Sequence, residues 1–110
     1  MYVGEWLNDK RNGQGEYRYE DGSVYIGKWL NGERHGHGEF RTPNNDKVYI
    51  GEFLNNEING YGEIRFADGA VQKGNWIKGK RYGKFIVRDA NGKTYKAKAD
   101  SNGELYRTLF

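Results

Sequence analysis

Three glutamates stand at one position of successive, similar segments: Glu16, Glu39 and Glu63. If these segments are alternate strands of one sheet, their carboxylates lie about 9.6 Å apart, twice the usual interstrand spacing. That separation is close to the roughly 6.5–9.5 Å between the two carboxyl groups of inverting glycosidases. A carbohydrate-binding or hydrolytic sheet is therefore one hypothesis for the function.

The neighbours of these glutamates favour a structural role. An arginine follows each glutamate two residues later: Arg18, Arg41 and Arg65. Lys28 of the next segment is also expected to face Glu16, and opposite charges across a sheet stabilise it. The pattern therefore indicates a solvated, charged face, and we expect no catalytic residue and no enzyme.

Few other residues have the types and spacing that chemistry requires. The chain has no Cys, and its two His, His35 and His37, belong to one turn without a third metal ligand nearby in the sequence. The glycine pairs at 13–15 and 36–38 precede no helix and lack the Gly-Lys-Ser/Thr of phosphate-binding loops. The sequence thus predicts no metal site and no cofactor.

The segments that carry these residues repeat about every 23 residues. Copies of one pentad are Tyr2–Trp6, Tyr25–Trp29, Tyr49–Phe53 and Gln72–Trp76, with a degenerate copy at Tyr95–Ala99. A glycine-rich block follows each of the first four pentads. A period of this size is typical of stacked repeat proteins, which present an extended surface rather than one catalytic pocket.

Within each repeat the pattern predicts two short β-strands. Gly15–Tyr19 and Gly62–Phe66 alternate Gly or apolar side chains with charged ones, and Asp-Gly, Asn-Gly or Lys-Gly turns separate such runs. We therefore expect an all-β fold, an elongated single antiparallel meander of about ten short strands, twisted and curved. The array spans residues 1–92 in units of about 2–24, 25–48, 49–71 and 72–94, and residues 93–110 form a degenerate repeat or cap.

A strand register follows if residues 21–23 form a three-residue loop with Gly22 in the left-handed region. The pairs expected from this loop are Tyr19 with Tyr25, Tyr17 with Gly27, Gly15 with Trp29, and Glu16 with Lys28. The equivalent loop after Phe66 puts Gly62 beneath Trp76 and Ile64 beside Gly74. The loop around Pro43 is one residue longer, so it should bulge and bring Glu39 opposite Glu52.

Tyr-x-Gly-x-Trp, a Gly-containing turn, Gly-x-Gly-x-aromatic and a closing Asp-Gly together resemble the MORN repeat (membrane occupation and recognition nexus). The resemblance covers residues 2–92 as four repeats. It departs at Phe53, Gln72, Phe85, Ala97 and Ala99. It implies a non-catalytic scaffold or targeting module with an aromatic groove. Some members of the family bind a partner helix, some dimerise end to end, and some are linked to acidic phospholipids.

The main functional hypothesis is a groove that binds a protein segment. Its predicted residues are Tyr2, Trp6, Tyr17, Tyr19, Tyr25, Trp29, Phe40, Tyr49, Phe53, Phe66 and Trp76. A single sheet has no second layer, so part of this aromatic row should meet solvent or a partner. Exposed aromatic strips flanked by polar groups are typical of binding surfaces.

The alternative is a peripheral membrane module that binds acidic phospholipid, or an acidic partner, through basic residues. Residues 1–55 carry seven basic and nine acidic side chains, whereas residues 56–110 carry eleven basic and six acidic ones. The predicted patch comprises Lys73, Lys78, Lys80, Arg81, Lys84, Lys93, Lys96 and Lys98. Nucleic acid is not expected as a partner, because aromatic and charged side chains are predicted on opposite faces.

The C-terminal residues 93–110 are expected to cap the array or to form a weak homodimer. The repeat pattern fails after Gly92, and an open array leaves an edge strand. The absence of Cys and of long apolar runs is typical of a cytoplasmic protein. The resemblance adds the expectation of an association with the cytoskeleton or a membrane, and the start inside a pentad suggests a piece of a longer protein.

Overall fold

A computed structural model describes residues 1–109 as one open sheet. The strands are β1 (Tyr2–Leu7), β2 (Lys10–Arg18), β3 (Val24–Leu30), β4 (Glu33–Arg41), β5 (Lys47–Leu54), β6 (Glu57–Phe66), β7 (Val71–Ile77), β8 (Lys80–Arg88), β9 (Thr94–Ala99) and β10 (Leu105–Thr108). All ten pair antiparallel in chain order, and residues 1–109 form no α-helix. The predicted all-β meander of about ten short strands is confirmed.

The long axis of the molecule runs across the strands. The sheet measures 50 × 25 × 19 Å, and its longest dimension matches ten strands spaced about 4.8 Å apart. Each repeat therefore advances the sheet by two strands, roughly 9.6 Å.

Two kinds of turn produce the meander. Inside the repeats, two-residue turns with positive φ join the strands: Asn8-Asp9, Asn31-Gly32, Asn55-Asn56 and Lys78-Gly79. Asn and Gly suit these turns because both tolerate the left-handed region. Between repeats, Gly22 has a φ of 95°, and the Asp21 carboxylate accepts a hydrogen bond from the Ser23 N–H (2.8 Å). A hydrogen bond from the Ser23 hydroxyl, together with this backbone bond, lowers the pKa of Asp21.

The predicted register is wrong by two residues. The left-handed Gly22 is the last residue of its loop, so the loop is residues 20–22, and the Tyr19 N–H donates to the Ser23 carbonyl (2.9 Å). The observed partners are Tyr17 with Tyr25, Gly15 with Gly27, Gly13 with Trp29, Glu16 with Ile26, and Gln14 with Lys28. In the later repeat, Gly62 pairs with Gly74 and Ile64 with Gln72. Glycine thus faces glycine across the strands.

The expected repulsion at the Pro43 loop is wrong for the same reason. Glu39 pairs with Ile50, and Glu52 pairs with His37. The His37 Nδ1 lies 3.3 Å from a Glu52 carboxylate oxygen. The loop itself contains a short turn at Pro43–Asn45, in which Asn44 and Asn45 have positive φ.

The sheet continues into the degenerate C-terminal segment. Strand β9 pairs with β8, with Ala97 opposite Phe85, and β10 pairs with β9, with Leu105 opposite Ala99. Phe110, the last residue of the predicted cap, lies outside the described residues.

Candidate partner-binding face

Strand alternation separates the side chains into two faces. The aromatic face is the side of the sheet that carries Tyr25, Trp29, Tyr49, Phe53 and Trp76. The charged face is the opposite side of the sheet, which carries Glu16, Glu39 and Glu63. The residue that pairs with each of these glutamates alternates along its own strand with residues of the aromatic face.

Tyrosine rings of the aromatic face lie over pairs of glycines. A Cβ on Gly38 would stand 2.3 Å from the Tyr25 hydroxyl oxygen, and a Cβ on Gly27 would stand 2.5 Å from the Gly38 Cα. The Tyr25 hydroxyl donates to the Lys28 carbonyl (2.8 Å). Only two facing glycines leave the space for this ring. Tyr2 and Tyr49 repeat the arrangement over Gly15 and Gly62.

The rings of neighbouring repeats form a continuous T-shaped ladder. The Trp29 ring lies 5.1 Å from Tyr25 of its own repeat and 5.5 Å from Tyr2 of the preceding one. Phe53 likewise lies 5.3 Å from Tyr49 and 5.0 Å from Tyr25. Edge-to-face pairs of this kind stabilise beyond the area they bury. Trp29 and Phe53 are therefore each covered by two tyrosines.

The fourth repeat builds the same ladder with a ring from the other strand. Gln72 stands where earlier repeats have Tyr, and Phe85 stands where they have the second Gly. The Phe85 ring covers Gly74 and lies 5.6 Å from the Trp76 ring. Two departures from the repeat pattern therefore compensate for each other.

The predicted groove residues fall into three groups by exposure. Tyr25, Trp29, Tyr49, Phe53 and Trp76 are at most 5% exposed and form the core together with Phe85, Val87 and Ala97. The half-buried predicted residues are Tyr2, Tyr17, Tyr19, Phe40 and Phe66. Trp6 is 60% exposed. The inner rings are thus covered by their own neighbours, and the half-buried rings lie at the surface of the face.

Burial of the inner tyrosines changes their acidity. Desolvation raises the pKa of the Tyr25 and Tyr49 hydroxyls well above the ordinary value. A buried phenolate is unfavourable because the low-dielectric surroundings penalise its charge. Both hydroxyls therefore remain protonated hydrogen-bond donors at physiological pH.

Three arginines of the first four repeats also lie on the aromatic face, a placement that the sequence-based prediction missed. Each lies directly opposite a pentad tryptophan: Arg11 opposite Trp6, Arg34 opposite Trp29, and Arg81 opposite Trp76. The prediction that aromatic and charged side chains occupy opposite faces is therefore wrong. The signal was present, because these arginines stand nine residues after the first residue of their pentads. Ile58 takes that place in the third repeat.

The guanidinium groups lie over the rings. Arg11 Cζ is 4.6 Å from the Trp29 ring centroid and 5.0 Å from that of Tyr17. Arg34 Cζ is 5.4 Å from the Phe40 centroid, and Arg81 Cζ is 5.1 Å from that of Trp76. These distances are within the range of cation–π attraction. The aromatic face is consequently also a cationic face.

Few hydrogen bonds to the chain hold these arginines. An Nη of Arg11 donates to the Gly32 carbonyl (3.2 Å), and an Nη of Arg34 donates to the Asn56 carbonyl (2.7 Å). Arg34 Nε is buried without a partner in residues 1–109. Arg81 Nε donates to the Gln72 side-chain oxygen (2.8 Å), and burial lowers the pKa of Arg81.

The charged face carries ion pairs within β2, β4 and β6. Arg18 Nε lies 2.7 Å from the Glu16 carboxylate, and the same pairing joins Arg41 to Glu39 and Arg65 to Glu63. Lys73 Nζ is 3.5 Å from Glu63. Within residues 1–109 no group of three or more His, Cys, Asp and Glu side chains stands close enough to hold a metal ion.

The predicted basic patch does not lie on one surface. Lys73, Lys84, Lys96 and Lys98 alternate onto the charged face, with Lys84 opposite Lys98. Lys78 belongs to a turn, and Lys93 lies just before β9. Lys80 begins β8 opposite Ile77, whereas Arg81 lies on the aromatic face against Trp76. The eight residues are thus divided between two faces and the turns.

Comparison with known proteins gives one family. A family model described as MORN repeat matches residues 2–24, 25–47 and 49–71. These ranges coincide with the first three repeats and begin at their pentads. No curated protein matches the chain. Among residues 1–109, no helix is long and apolar enough to cross a membrane.

Proposed function

Since the chain belongs to the MORN repeat family, we propose that it is a non-catalytic scaffold or adaptor whose aromatic face binds a segment of a protein partner. MORN repeats are generally associated with protein or membrane binding, and the family is in general a non-catalytic repeat module. The choice of a protein segment and of the aromatic face is our proposal.

The observation that carries the proposal is the incomplete cover over the aromatic face. Residues 1–109 form one sheet without a second layer. The inner rings are buried, but Tyr17, Tyr19 and Phe40 are half-buried and Trp6 is 60% exposed. Apolar strips bordered by polar groups are typical of protein-binding surfaces. A bound segment would supply the missing cover.

The alternative, binding of acidic phospholipid, has weaker support. The basic residues on which it depends are divided between two faces and the turns, and Lys73 already lies near Glu63. A membrane is a flat surface that attracts a cluster of basic side chains at one level. We therefore favour the protein segment.

A peptide selection tests the proposal. Phage-displayed random peptides of about 20 residues, which span roughly 30 Å as a helix, are selected on the intact chain. Binding of the enriched peptides is then measured to Trp6→Ala and Tyr19→Ala on the aromatic face and to Ile26→Ala on the charged face. We expect a loss of about tenfold or more for the first two variants only.

Two results would contradict the proposal. One is equal binding of the enriched peptides to all three variants at unchanged melting temperatures. The other is the absence of enriched peptides together with binding to vesicles that contain acidic phospholipid, which would support the alternative.

A further inference from the structure

We propose that the segment bound by the aromatic face is acidic, with carboxylates that meet Arg11, Arg34 and Arg81 and an apolar side chain that meets Ile58. This inference rests on the proposed function and defines the chemical class of the partner. It follows from the row of arginines that the repeats place along the face.

The row is regular because the strand register is regular. Arg11, Arg34, Ile58 and Arg81 each pair with the last residue of the pentad on the neighbouring strand. Successive members are one repeat apart, roughly 9.6 Å along the long axis. Arg11 and Arg34 are thus separated by one step, and Arg34 and Arg81 by two, with Ile58 between them.

Within residues 1–109, no carboxylate forms an ion pair with Arg11, Arg34 or Arg81. The strand glutamates Glu16 and Glu39 are on the charged face with arginines of their own. A guanidinium carries five N–H donors, and the hydrogen bonds described above use one donor of each arginine. The remaining donors form a fork that suits a carboxylate.

The surroundings increase the benefit of such a carboxylate. The three guanidinium groups are half-buried against aromatic rings. A segment laid over them would displace water, and the attraction between opposite charges strengthens as the local dielectric falls. A neutral segment would bury the arginines without a partner, and a basic segment would add repulsion, so the row also selects against both.

The spacing defines the sequence pattern of the partner. An extended segment that runs along the sheet advances about 3.3 Å per residue, so one repeat corresponds to about three residues. A helix advances about 1.5 Å per residue, so one repeat corresponds to between six and seven residues. In either form, two acidic positions are followed by one apolar position and one further acidic position.

The test uses the peptides enriched on the intact chain and glutamine substitutions on both faces. Arg11→Gln, Arg34→Gln and Arg81→Gln each remove a charge from the aromatic face. Arg18→Gln and Arg41→Gln are matched controls, because they make the same change on the charged face. Circular dichroism and melting temperatures exclude variants that unfold.

We expect the enriched peptides to carry net negative charge and apolar residues. Each aromatic-face substitution should weaken them about tenfold, the typical loss when one partner of a charge-assisted hydrogen bond is removed. The controls should change affinity less than about threefold. When the peptide carboxylates are replaced by amides one at a time, one replacement should weaken binding to the unchanged chain and have little effect on the Arg34→Gln variant.

Other outcomes would overturn the inference. Enriched peptides that are neutral or basic, or that bind equally to Arg34→Gln and Arg41→Gln, would contradict it. If such peptides still required Tyr19, the proposed function would stand and only the acidic class would fail. Tighter binding of a single-stranded oligonucleotide than of any peptide would also overturn it, since arginines over aromatic rings can serve as a base-stacking platform.

Discussion

The first tryptophan and the inner ones occupy the same position of the repeat but differ in exposure. Trp6 is 60% exposed, whereas Trp29 and Trp76 are 4% and 5% exposed. Among the aromatic rings of residues 1–109, Trp6 pairs with Tyr2 of its own repeat alone, at 5.0 Å, whereas Trp29 packs between two tyrosines. The preceding repeat, and not the pentad alone, therefore buries the tryptophan ring.

This dependence explains how a single sheet can have a core. Each of the first three repeats contributes one tyrosine that packs against its own pentad ring and the next one. The stability of such an array is then largely a sum of neighbour contacts, as in other repeat proteins. The half-buried rings and the arginines on the same face form the surface that we propose binds a partner.

Substitution of Trp29 and of Trp6 should give the largest difference in stability. Trp29→Ala should destabilise the chain by about 3–5 kcal/mol, because it removes a buried ring from the ladder. Trp6→Ala should cost less than about 1 kcal/mol, as is usual for exposed positions. Urea denaturation measures both, with Glu16→Ala on the charged face as a further control. Equal losses for the two tryptophans would contradict the role of the preceding tyrosine.

The fourth repeat offers a second test of the ladder. Phe85→Gly should cost about 3–5 kcal/mol, because Trp76 loses the ring that covers it. Adding Gln72→Tyr restores the arrangement of the first three repeats, so the double variant should recover much of the lost stability. A double-mutant cycle measures this coupling. Additive losses would mean that Phe85 does not replace the missing tyrosine.

Removal of the residues after Gly92 tests the C-terminal end. The shortened chain loses β9 and β10 and uncovers part of Phe85 and Val87, which are 1% and 4% exposed. We expect a loss of about 2 kcal/mol, and the melting temperature checks it. Light scattering of both chains tests the prediction of a weak homodimer through residues 93–110. Unchanged stability and a monomer in both cases would exclude both roles for the segment.

A side chain at the glycine pair should disturb the ring above it. Gly27→Val should cost about 1–3 kcal/mol, because its Cβ would stand 2.5 Å from the Gly38 Cα and 2.7 Å from the Tyr25 hydroxyl oxygen. Ile26→Val is the matched control on the charged face and should be nearly neutral. A melting temperature of Gly27→Val equal to that of the unchanged chain would refute the tight packing over this pair.

The smallest expected effect is a loss of stability at alkaline pH. Burial raises the folded-state pKa of Tyr25 and Tyr49, so their contribution is present below the ordinary tyrosine pKa and is lost as pH rises above it. Near pH 10.5 the loss should be about 1 kcal/mol for each tyrosine. Thermal melts at several pH values check this, with Tyr61→Phe, an exposed hydroxyl, as the control for Tyr25→Phe. Identical alkaline profiles for the two variants would contradict it.

The sequence was sufficient to predict the repeat, the strands and the face that carries the aromatic residues. Period-two alternation and turn residues are local signals, so the strands followed from short stretches of chain. The register was wrong because one loop residue decides it, and Gly22 fits two positions of a three-residue loop. When that register shifts by two residues, the cross-strand partner of Gly15 changes from Trp29 to Gly27.

The missed features depend on contacts between repeats. Arg34 lies opposite Trp29 because the strand register shifts between Gly27 and Trp29, and one repeat does not indicate this shift. Comparing the residues that stand nine positions after the first residue of each pentad would have revealed the arginine row. The difference in exposure between Trp6 and Trp29 likewise depends on a contact between repeats. Tyr2 packs against Trp29 of the next repeat, and the sequence does not state this contact.

We conclude that the aromatic face is both the core of the sheet and an open surface. The most direct test is hydrogen exchange of the three indole N–H groups, measured by NMR on the intact chain. The Trp29 indole donates to the Gly15 carbonyl (3.2 Å), and the Trp76 indole nitrogen is buried. The account predicts slow exchange for Trp29 and Trp76 and fast exchange for Trp6. Comparable exchange rates for all three groups would contradict it, because the inner rings would then be as open as the first.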